Sequence, residues 1–325
     1  MLKKEKILVI GGTGFLGSRI VDHLKKENYK VRILSRNADQ IKEKLNYKCD
    51  ITEKGDTLEK AVEESDVVIH CAGKVSYNPK ERDVLQKLHV DGTRNIVKVC
   101  SEKGKKLIYT SSAAVLGIST NFSGNIEEQL LQIEDIKHNK FAYFTTKYLA
   151  EEIVKNSELE AIILRPGSLI GPGETSTSKI FDLVNKRIKP IFLGGASFVY
   201  VEDVAQAYVN ALKKLTTTKR ENKIDIYNLG GHNLSFNKLT DAMQDAVGKK
   251  SKLHLSQPIL FLIASFSFFL KQPKFTWENF CITDHIFYVN SSNAKEKLDY
   301  NLTPLEEALV KTAEQRYSTV YKGKN

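Results

Sequence analysis

A tyrosine and a lysine in this sequence have the spacing needed for proton transfer. Of the thirteen tyrosines, only Tyr143 is followed four residues later by a lysine, Lys147. On a helix this spacing places both side chains on one face, one turn apart. A free tyrosine has a pKa of about 10, and a nearby ammonium favours its phenolate form, which brings the phenol closer to the working range of an acid or base. An exposed Tyr–Lys pair without a function is the alternative interpretation.

Two adjacent hydroxyl groups, those of Ser111 and Ser112, follow the predicted strand Leu107–Thr110. Parallel sheets bind their ligands at the carboxyl ends of the strands, so a hydroxyl group in this place is positioned to meet a ligand. The alternative is that a serine here only caps a helix. Together with the glycine-rich loop described next, the serines and the Tyr143–Lys147 pair favour catalysis.

A glycine-rich loop lies near the N-terminus. The segment Gly11–Gly17 has glycines at positions 11, 14 and 17, between a predicted strand and a predicted helix. Glycine permits the tight turn and the close approach of a pyrophosphate, and the helix N-terminus presents free N–H groups to it. The loop therefore predicts dinucleotide binding rather than an ordinary turn. The predicted cofactor contacts are Gly11, Thr13, Gly14, Phe15, Leu16 and Gly17.

The end of the second strand bears on the choice of dinucleotide. An acidic residue there would bind the ribose hydroxyls of NAD, whereas Ser35 followed by Arg36 suits the 2′-phosphate of NADP. NADP(H) is therefore predicted in preference to NAD(H), which stays open because Arg36 could instead stack on adenine or face solvent. Asp50 and Ile51 are predicted to contact the adenine, through a carboxylate and an aliphatic face.

Short β-branched runs alternate with helical patterns, which predicts a Rossmann-type α/β fold with a doubly wound parallel sheet. The predicted strands are Lys6–Ile10, Lys30–Leu34, Val67–His70, Leu107–Thr110, Ala161–Leu164 and Asp225–Asn228. The predicted helices are Phe15–Glu27, Asp83–Glu102, Lys140–Asn156, Val201–Lys214 and Phe236–Val247. The cofactor-binding domain is predicted over residues 1–170, with 198–230 returning to the sheet. A smaller, mostly helical substrate-binding region is predicted over 171–197 and 231–325.

The composition excludes several classes of protein. With 325 residues, 41% hydrophobic and 27% charged, the chain is neither disordered nor a multi-span membrane protein. Four widely spaced cysteines exclude a disulfide scaffold. The net charge is +10, but the lysines are spread over predicted helix ends and loops, so no nucleic-acid partner is predicted. The apolar run Ile7–Ile10 is too short for a signal peptide, which predicts a cytoplasmic protein.

These features belong to a series of motifs that run nearly from end to end, and with them the chain resembles the extended short-chain dehydrogenases/reductases. The branch it resembles contains dihydroflavonol reductases, 3β-hydroxysteroid dehydrogenases and sugar-nucleotide epimerases. The matching motifs are Gly11–Gly17, His70–Gly73, Val90–Asn95, Tyr109–Ser112, Tyr143 with Lys147, Leu164–Gly167, Gly171–Gly173, Val199–Val204 and Tyr227–Gly230.

The resemblance implies roles for individual residues. It implies that Tyr143 is the catalytic acid/base, that Lys147 lowers its pKa and holds the nicotinamide ribose, and that Ser112 hydrogen-bonds the substrate oxygen. It also implies cofactor contacts from Cys71, Ala72, Gly73, Pro166 and Ser168. His89 stands where the family usually has asparagine, and its role is left open. His70 is predicted to be a structural hydrogen bonder, and no metal site is predicted because ligands at the required spacing are missing.

Family membership leaves several reactions open, because one cofactor and one Tyr/Lys pair serve all of them. Sugar-nucleotide members usually carry an arginine near each of two stretches that here read Gly194–Phe198 and Cys281–Phe287, and neither contains arginine. A cation from Lys179, Lys186 or Arg187 is the alternative that stays open. The sequence therefore predicts an NAD(P)-dependent oxidoreductase that interconverts a ketone and a secondary alcohol on a fairly apolar small molecule. The alternatives are an NAD-dependent nucleotide-sugar epimerase or dehydratase and a non-enzymatic NADP-sensing protein.

The segment Pro258–Leu270 is about thirteen residues of nearly unbroken apolar character, flanked by Lys250, Lys252, Lys271 and Lys274. It is too short to span a bilayer, which needs roughly twenty residues. A buried or substrate-covering helix is the favoured interpretation, and an interfacial segment in peripheral contact with a membrane is the other. Both point to a hydrophobic substrate. A homodimer is left open.

Overall fold

The computed structural model describes residues 5–38, 46–53, 55–119, 123–127, 141–173, 176–217, 221–270, 273 and 275–321. Its main element is a parallel sheet of seven strands in the order β10-β6-β5-β4-β1-β2-β3. These strands are β1 (Lys6–Ile10), β2 (Lys30–Ser35), β3 (Tyr47–Lys48), β4 (Val67–His70), β5 (Lys106–Thr110), β6 (Ala161–Pro166) and β10 (Ile224–Leu229). The predicted doubly wound parallel sheet is confirmed, and the order reverses between β1 and β4, where such sheets bind their ligands.

Helices cover both faces of this sheet. On one face α1 (Phe15–Lys26) and α7 (Val201–Thr217) bury an apolar stripe against β1 and its neighbours. On the other face α2 (Asp56–Glu63), α4 (Gly92–Glu102) and α5 (Ala142–Lys155) do the same. Because both faces are buried, the central strands are apolar throughout, as the run Ile7–Ile10 shows.

The predicted helix Asp83–Glu102 is divided into three parts. It begins as the short α3 (Arg82–Leu85), continues as a π-helix over Gln86–Asp91 and ends as α4. A π-helical turn holds more residues than an α-helical turn, so a side chain within it points in another direction than a regular helix would allow. His89 lies in this wider turn and is buried. The described part of the predicted helix Lys140–Asn156 is α5, and Lys140 lies outside the described residues.

The remaining elements form a second cluster of packed apolar side chains. They include two small sheets, one of β11-β9-β13 with β7 beside β9, and one of β12-β8. Their strands are β7 (Ser168–Ile170), β8 (Ile188–Pro190), β9 (Gly195–Tyr200), β11 (His232–Ser235), β12 (Leu253–Leu255) and β13 (Ile286–Phe287). The helices are α6 (Ser176–Asn185), α8 (Phe236–Val247), α9 (Gln257–Phe266), α10 (Trp277–Thr283), α11 (Ser292–Leu298) and α12 (Leu305–Tyr321).

The segment Pro258–Leu270 forms α9 and a short 3₁₀ turn, Ser267–Phe269. The favoured interpretation is a buried or substrate-covering helix. The buried helix is contradicted, because most of the apolar side chains of the segment are exposed, whereas the substrate-covering helix stays a prediction. Leu260, Ala264 and Ser267 are buried, whereas Phe266 is 66% and Phe269 84% exposed. The flanking Lys271 and Lys274 lie outside the described residues. None of the described helices has the length and apolarity needed to cross a bilayer.

Candidate active site

The register of the sheet brings three loops to one edge. Ile10 lies beside His70, and His70 lies beside Tyr109 in the next strand. The chain therefore leaves β1 at Gly11, β4 at Cys71 and β5 at Ser111 within a single crevice. This crevice holds the glycine-rich loop, the Cys71–Gly73 turn and the two serines that the sequence singled out.

The glycine-rich loop is packed so tightly that its glycines cannot carry side chains. Gly11 has a φ of +86°, and a Cβ there would lie 2.6 Å from the backbone of Ala72. A Cβ on Gly17 would lie 2.2 Å from the carbonyl oxygen of Gly11. Gly14 is the N-cap of α1, and no side chain caps the helix. The first N–H groups of α1 are thus presented at a loop in which only Thr13 carries a side chain, a geometry that fits a pyrophosphate.

Phe15, the first residue of α1, is covered by two glycines from a distant part of the chain. A Cβ on Gly173 would lie 2.6 Å from the Phe15 ring, and one on Gly171 would lie 3.2 Å from it. Arg316 on α12 donates a hydrogen bond of 3.1 Å to the carbonyl oxygen of Gly173 and pairs with Asp182 on α6. The start of α1 is therefore in direct contact with the region that follows β7.

At the end of β2, the hydroxyl of Ser35 lies 2.7 Å from that of Thr13, which joins this strand to the glycine-rich loop. Arg36 follows in an exposed position. Asp50 accepts hydrogen bonds of 2.9 Å from both the N–H and the hydroxyl of Thr52. Ile51 is buried against Gly92 of α4. Arg36 is accessible to a ligand, whereas Asp50 and Ile51 are engaged with the protein itself, and their adenine contacts stay predictions.

The other predicted cofactor contacts surround the same crevice. Cys71 donates through its Sγ to the carbonyl oxygen of Ile10 at 3.2 Å, and burial raises the pKa of its thiol to about 12. Ala72 lies against Gly11, and Gly73 approaches the ring of His89. Pro166 ends β6 in a buried position, and the half-buried Ser168 begins β7.

The two serines after β5 have different surroundings. The buried Ser111 donates a hydrogen bond of 2.5 Å to Glu151, whose carboxylate also forms a buried ion pair with Arg165. Ser112 accepts a hydrogen bond from the N–H of Ala114, and it lies close enough to Tyr143 to lower the pKa of that phenol. Ser112 thus both caps a 3₁₀ turn and faces the tyrosine, so the two interpretations of this serine are compatible. Ser111 belongs to a buried polar network behind the crevice.

Tyr143 and Lys147 lie on the buried face of α5. Burial raises the pKa of Tyr143, and the nearby hydroxyl of Ser112 offsets this in part. Lys147 is 6% exposed and donates a hydrogen bond of 2.7 Å to the carbonyl oxygen of Thr110. Burial lowers the pKa of Lys147 to about 8. Burial is thus the main influence on the Tyr143 pKa, and the Lys147 ammonium is bound to the end of β5. The lowering of the Tyr143 pKa by Lys147 stays a prediction.

His89 links the two sides of the crevice. Its Nε2 accepts a hydrogen bond of 3.2 Å from the N–H of Lys74, and its Nδ1 lies 2.9 Å from the hydroxyl of Thr146. Burial holds its pKa well below the usual value, so the ring is neutral and Nδ1 is the donor to Thr146. His89 thereby joins the turn after β4 to the helix that carries Tyr143. His70 lies 3.2 Å from the hydroxyl of Thr93 and is likewise neutral, because burial lowers its pKa to about 3.

Two residues near the crevice were not anticipated from the sequence. The ring of Tyr77 lies edge-on to that of Tyr143, with 5.8 Å between centroids. Glu278 on α10 is close enough to influence the pKa of Tyr77. No spacing pattern marks either residue, although Thr276 and Asn279 carry the signature of a helix start at this place. In the described ranges, no three His, Cys, Asp or Glu side chains converge in a group that could hold a metal ion.

Comparisons with known proteins agree with this geometry. Residues 7–230 match the NAD dependent epimerase/dehydratase family. The chain is 31% identical over 248 residues to a decarboxylating sterol-4-alpha-carboxylate 3-dehydrogenase of Saccharomyces cerevisiae, covering 67% of this chain and 68% of the relative. It is 29% identical over 257 residues to an anthocyanidin reductase of Arabidopsis thaliana, covering 66% of this chain and 74% of the relative.

A solved structure shares the fold over almost the whole chain. It is the UDP-glucose 4-epimerase of Thermus thermophilus in complex with NAD, with a TM-score of 0.73 and 20% sequence identity. The superposition covers 97% of this chain and 100% of the other. At this identity the likeness concerns the architecture alone.

Proposed function

Because the chain belongs to the NAD dependent epimerase/dehydratase family, we propose that it is an oxidoreductase that interconverts a ketone and a secondary alcohol. The observation that carries the proposal is the proximity of Ser112 to Tyr143, close enough for its hydroxyl to lower the pKa of the phenol. This pair lies in the crevice that also holds the glycine-rich loop. A proton donor and a site for a dinucleotide are thus adjacent, as a carbonyl reduction requires.

Ser112, Tyr143 and Lys147 each have a separate role in the proposed reaction. A bound nicotinamide supplies a hydride to the carbonyl carbon in reduction. Ser112 donates a hydrogen bond to the carbonyl oxygen, and Tyr143 transfers its phenolic proton to that oxygen. The raised pKa of Tyr143 keeps the phenol protonated at neutral pH, which suits a donor. Lys147 holds a positive charge beside the crevice, and its contact with Thr110 fixes where that charge lies.

Replacement of Tyr143 by phenylalanine tests this assignment. The variant Tyr143→Phe should lower the rate of carbonyl reduction about a hundredfold or more, because general acid catalysis contributes at least that much. NADPH binding, measured by fluorescence titration, should stay nearly unchanged. Tyr148→Phe is the matched control, since Tyr148 follows on the same helix and packs against a different apolar cluster from that of Tyr143. Equal turnover in Tyr143→Phe and wild type would contradict the proposal.

We propose that the cofactor is NADP(H), because of the position of Arg36. It is exposed at the end of β2, and its neighbours Ser35 and Asn37 carry no negative charge. Charge-assisted hydrogen bonds to a phosphate are worth roughly 1.5 to 3 kcal/mol, so Arg36→Glu should weaken NADPH binding about tenfold to a hundredfold. NADH binding should change far less. Lys30→Glu, the same charge change at the other end of β2, is the control, and an equal loss for both cofactors would favour NAD.

The substrate is proposed to be fairly apolar and to be bound by the region over 171–197 and 231–325. The structure brings together the two stretches that carry arginines in sugar-nucleotide enzymes, since the N–H of Gly195 bonds the carbonyl of His285 at 3.0 Å. Neither stretch supplies a planar cation for a diphosphate. Purified protein with stoichiometric bound NAD and no net cofactor consumption would instead show an epimerase or dehydratase. Failure to oxidise NADPH with a broad carbonyl panel would point to the non-enzymatic alternative.

We further propose that the exposed face of α9 contacts a membrane surface. Its exposed side chains are Ile259, Phe261, Leu262, Ile263, Phe266, Phe268, Phe269 and Leu270. Lys80, Lys250 and Lys252 are exposed nearby, and Lys80 donates a hydrogen bond of 3.0 Å to the carbonyl oxygen of Leu270. Apolar side chains rimmed by lysines fit an interface with anionic headgroups. An apolar substrate could then reach the crevice from the bilayer. A homodimer stays open.

A further inference from the structure

Glu278 places a carboxyl group close to Tyr77, which is a neighbour of Tyr143. The helix that carries it, α10, is fixed against the loop after β4, because Thr276 donates a hydrogen bond of 2.6 Å to the carbonyl oxygen of Tyr77. One turn further along α10, Ile282 packs in the same apolar cluster as Tyr143. The ring of Tyr77 lies between these elements, edge-on to Tyr143. Tyr143 and Glu278 thus both lie close enough to Tyr77 to add to the effect of burial in raising its pKa.

This carboxyl group has an unsatisfied oxygen. Glu278 is 6% exposed, and its Oε2 has no hydrogen-bond partner in the part of the chain that the structure describes. A buried polar atom without a partner costs about 1 to 3 kcal/mol, more when it is charged. Such a cost is common at functional sites, where the missing partner belongs to a ligand.

The charges around Glu278 restrict what that partner can be. The titratable groups that act on it or respond to it are Arg82, on α3, and Tyr77. Burial raises the pKa of Glu278 to about 7, and Arg82 offsets this only in part. The carboxylate repels an anion on the ligand, and Arg82 repels a cation. A neutral donor, such as a hydroxyl group, meets neither penalty.

We propose that Glu278 binds a hydroxyl group of the substrate, away from the reacting carbonyl, and disfavours substrates that carry an anion in that position. This inference rests on the proposed function, because it takes Tyr143 as the reacting centre. It narrows the substrate class to neutral ketones and alcohols that are largely apolar and carry a second hydroxyl group. It also weighs against a carboxylated or diphosphate-linked substrate.

Three matched steroid ketones test the inference. They are dihydrotestosterone, the same ketone without its hydroxyl, and the same ketone with a carboxylate in place of the hydroxyl. Reduction is followed by NADPH absorbance at about pH 8.5, where most of a carboxyl with the raised pKa of Glu278 is ionised. Binding is followed separately by the fluorescence of Trp277, the single tryptophan of the chain and the neighbour of Glu278.

Two variants separate the hydrogen bond from the charge. Glu278→Leu should weaken binding of dihydrotestosterone about tenfold, with a much smaller change for the ketone that lacks the hydroxyl. Glu278→Gln keeps a hydrogen-bonding group without the charge, so it should retain dihydrotestosterone and bind the carboxylate ketone about tenfold more tightly than wild type. Asp284→Asn, an isosteric change at the other end of α10, is the control and should alter none of the three.

The outcomes for the two proposals are distinguishable. Equal effects of the Glu278 variants on all three ketones, no effect on any, or no binding of any ketone to wild type would overturn the role of Glu278. A wild-type protein that reduces none of the ketones but binds dihydrotestosterone through Glu278 would contradict the proposed oxidoreductase function and support the binding site. Reduction of the ketones without preference for the hydroxyl would support the oxidoreductase function and contradict the role of Glu278.

Discussion

Replacing Lys147 by methionine should make the protein more stable while removing its activity. Lys147 is nearly fully buried, and burial lowers its pKa from 10.5 to about 8. A folded-state pKa of a base below its unfolded value means that the folded state resists protonation. At pH 7 this difference corresponds to about 3 kcal/mol of lost stability. The variant Lys147→Met loses the hydrogen bond to the Thr110 carbonyl, worth about 1 kcal/mol, so the net gain should be about 2 kcal/mol.

The lowered pKa of Lys147 also predicts how the stability difference changes with pH. Between pH 8 and 10.5 the unfolded chain binds more protons at Lys147 than the folded protein does, so wild-type stability rises with pH across this window. At about pH 9.5 the cost of the buried ammonium should have fallen to about 1.5 kcal/mol. The advantage of Lys147→Met should therefore shrink to about 0.5 kcal/mol once the lost hydrogen bond is included.

Urea unfolding of wild type and Lys147→Met at the two pH values measures both numbers. Lys155→Met, on the same helix, removes a surface lysine that pairs with Glu152 and should show no pH-dependent gain. A Lys147→Met protein that is less stable than wild type at pH 7, or whose advantage does not diminish with pH, would refute the reasoning. The ammonium would then be better solvated in the folded protein than its surroundings indicate.

Two further predictions concern His89 and the exposed face of α9. His89→Leu should lower the free energy of unfolding by about 2 kcal/mol or more, because the N–H of Lys74 and the hydroxyl of Thr146 both lose a partner. His89→Asn should lose less stability. Equal stability of wild type and both variants in urea would contradict the linking role of His89. Replacing Phe266 and Phe269 by asparagine should reduce co-sedimentation with phosphatidylserine vesicles at least tenfold. Val310→Asn, an exposed apolar position on α12, is the control, and unchanged vesicle binding in the double variant would exclude this face as the contact.

Local patterns were enough to predict the parts of the site that lie within one short segment. The glycine-rich loop is a single strand–turn–helix unit, and β1 has the predicted bounds Lys6–Ile10. Tyr143 and Lys147 share a helix, so their common face follows from their spacing. The hydrogen bond of Lys147 could not be predicted in this way. Its acceptor is the Thr110 carbonyl oxygen, and this contact depends on how α5 packs on β5.

The sequence did not predict elements that form because segments far apart in the chain pack closely, backbone against backbone. The strand β9 begins with glycine and small residues, Gly195–Ser197, which favour a turn when only local sequence is considered. In the structure a Cβ on Gly195 would lie 2.7 Å from the carbonyl oxygen of Leu234, and one on Gly194 would lie 2.1 Å from that of His285. These glycines serve close packing between chain segments rather than a turn. Glu278 was missed for a similar reason, since its neighbours Tyr77 and Arg82 come from another part of the chain.

The contact of Phe15 with Gly171 and Gly173 limits how this protein can be recombined with its relatives. A chimera that takes the cofactor-binding half from one protein and the remainder from another would cut between these residues. If the incoming segment carried a side chain in place of Gly173, that side chain would meet the Phe15 ring at 2.6 Å and displace the start of α1. The damage would appear as lost cofactor affinity, although every phosphate-loop residue was preserved. Exchange of substrate-binding regions should therefore transfer residues 171–173 and position 15 as one unit.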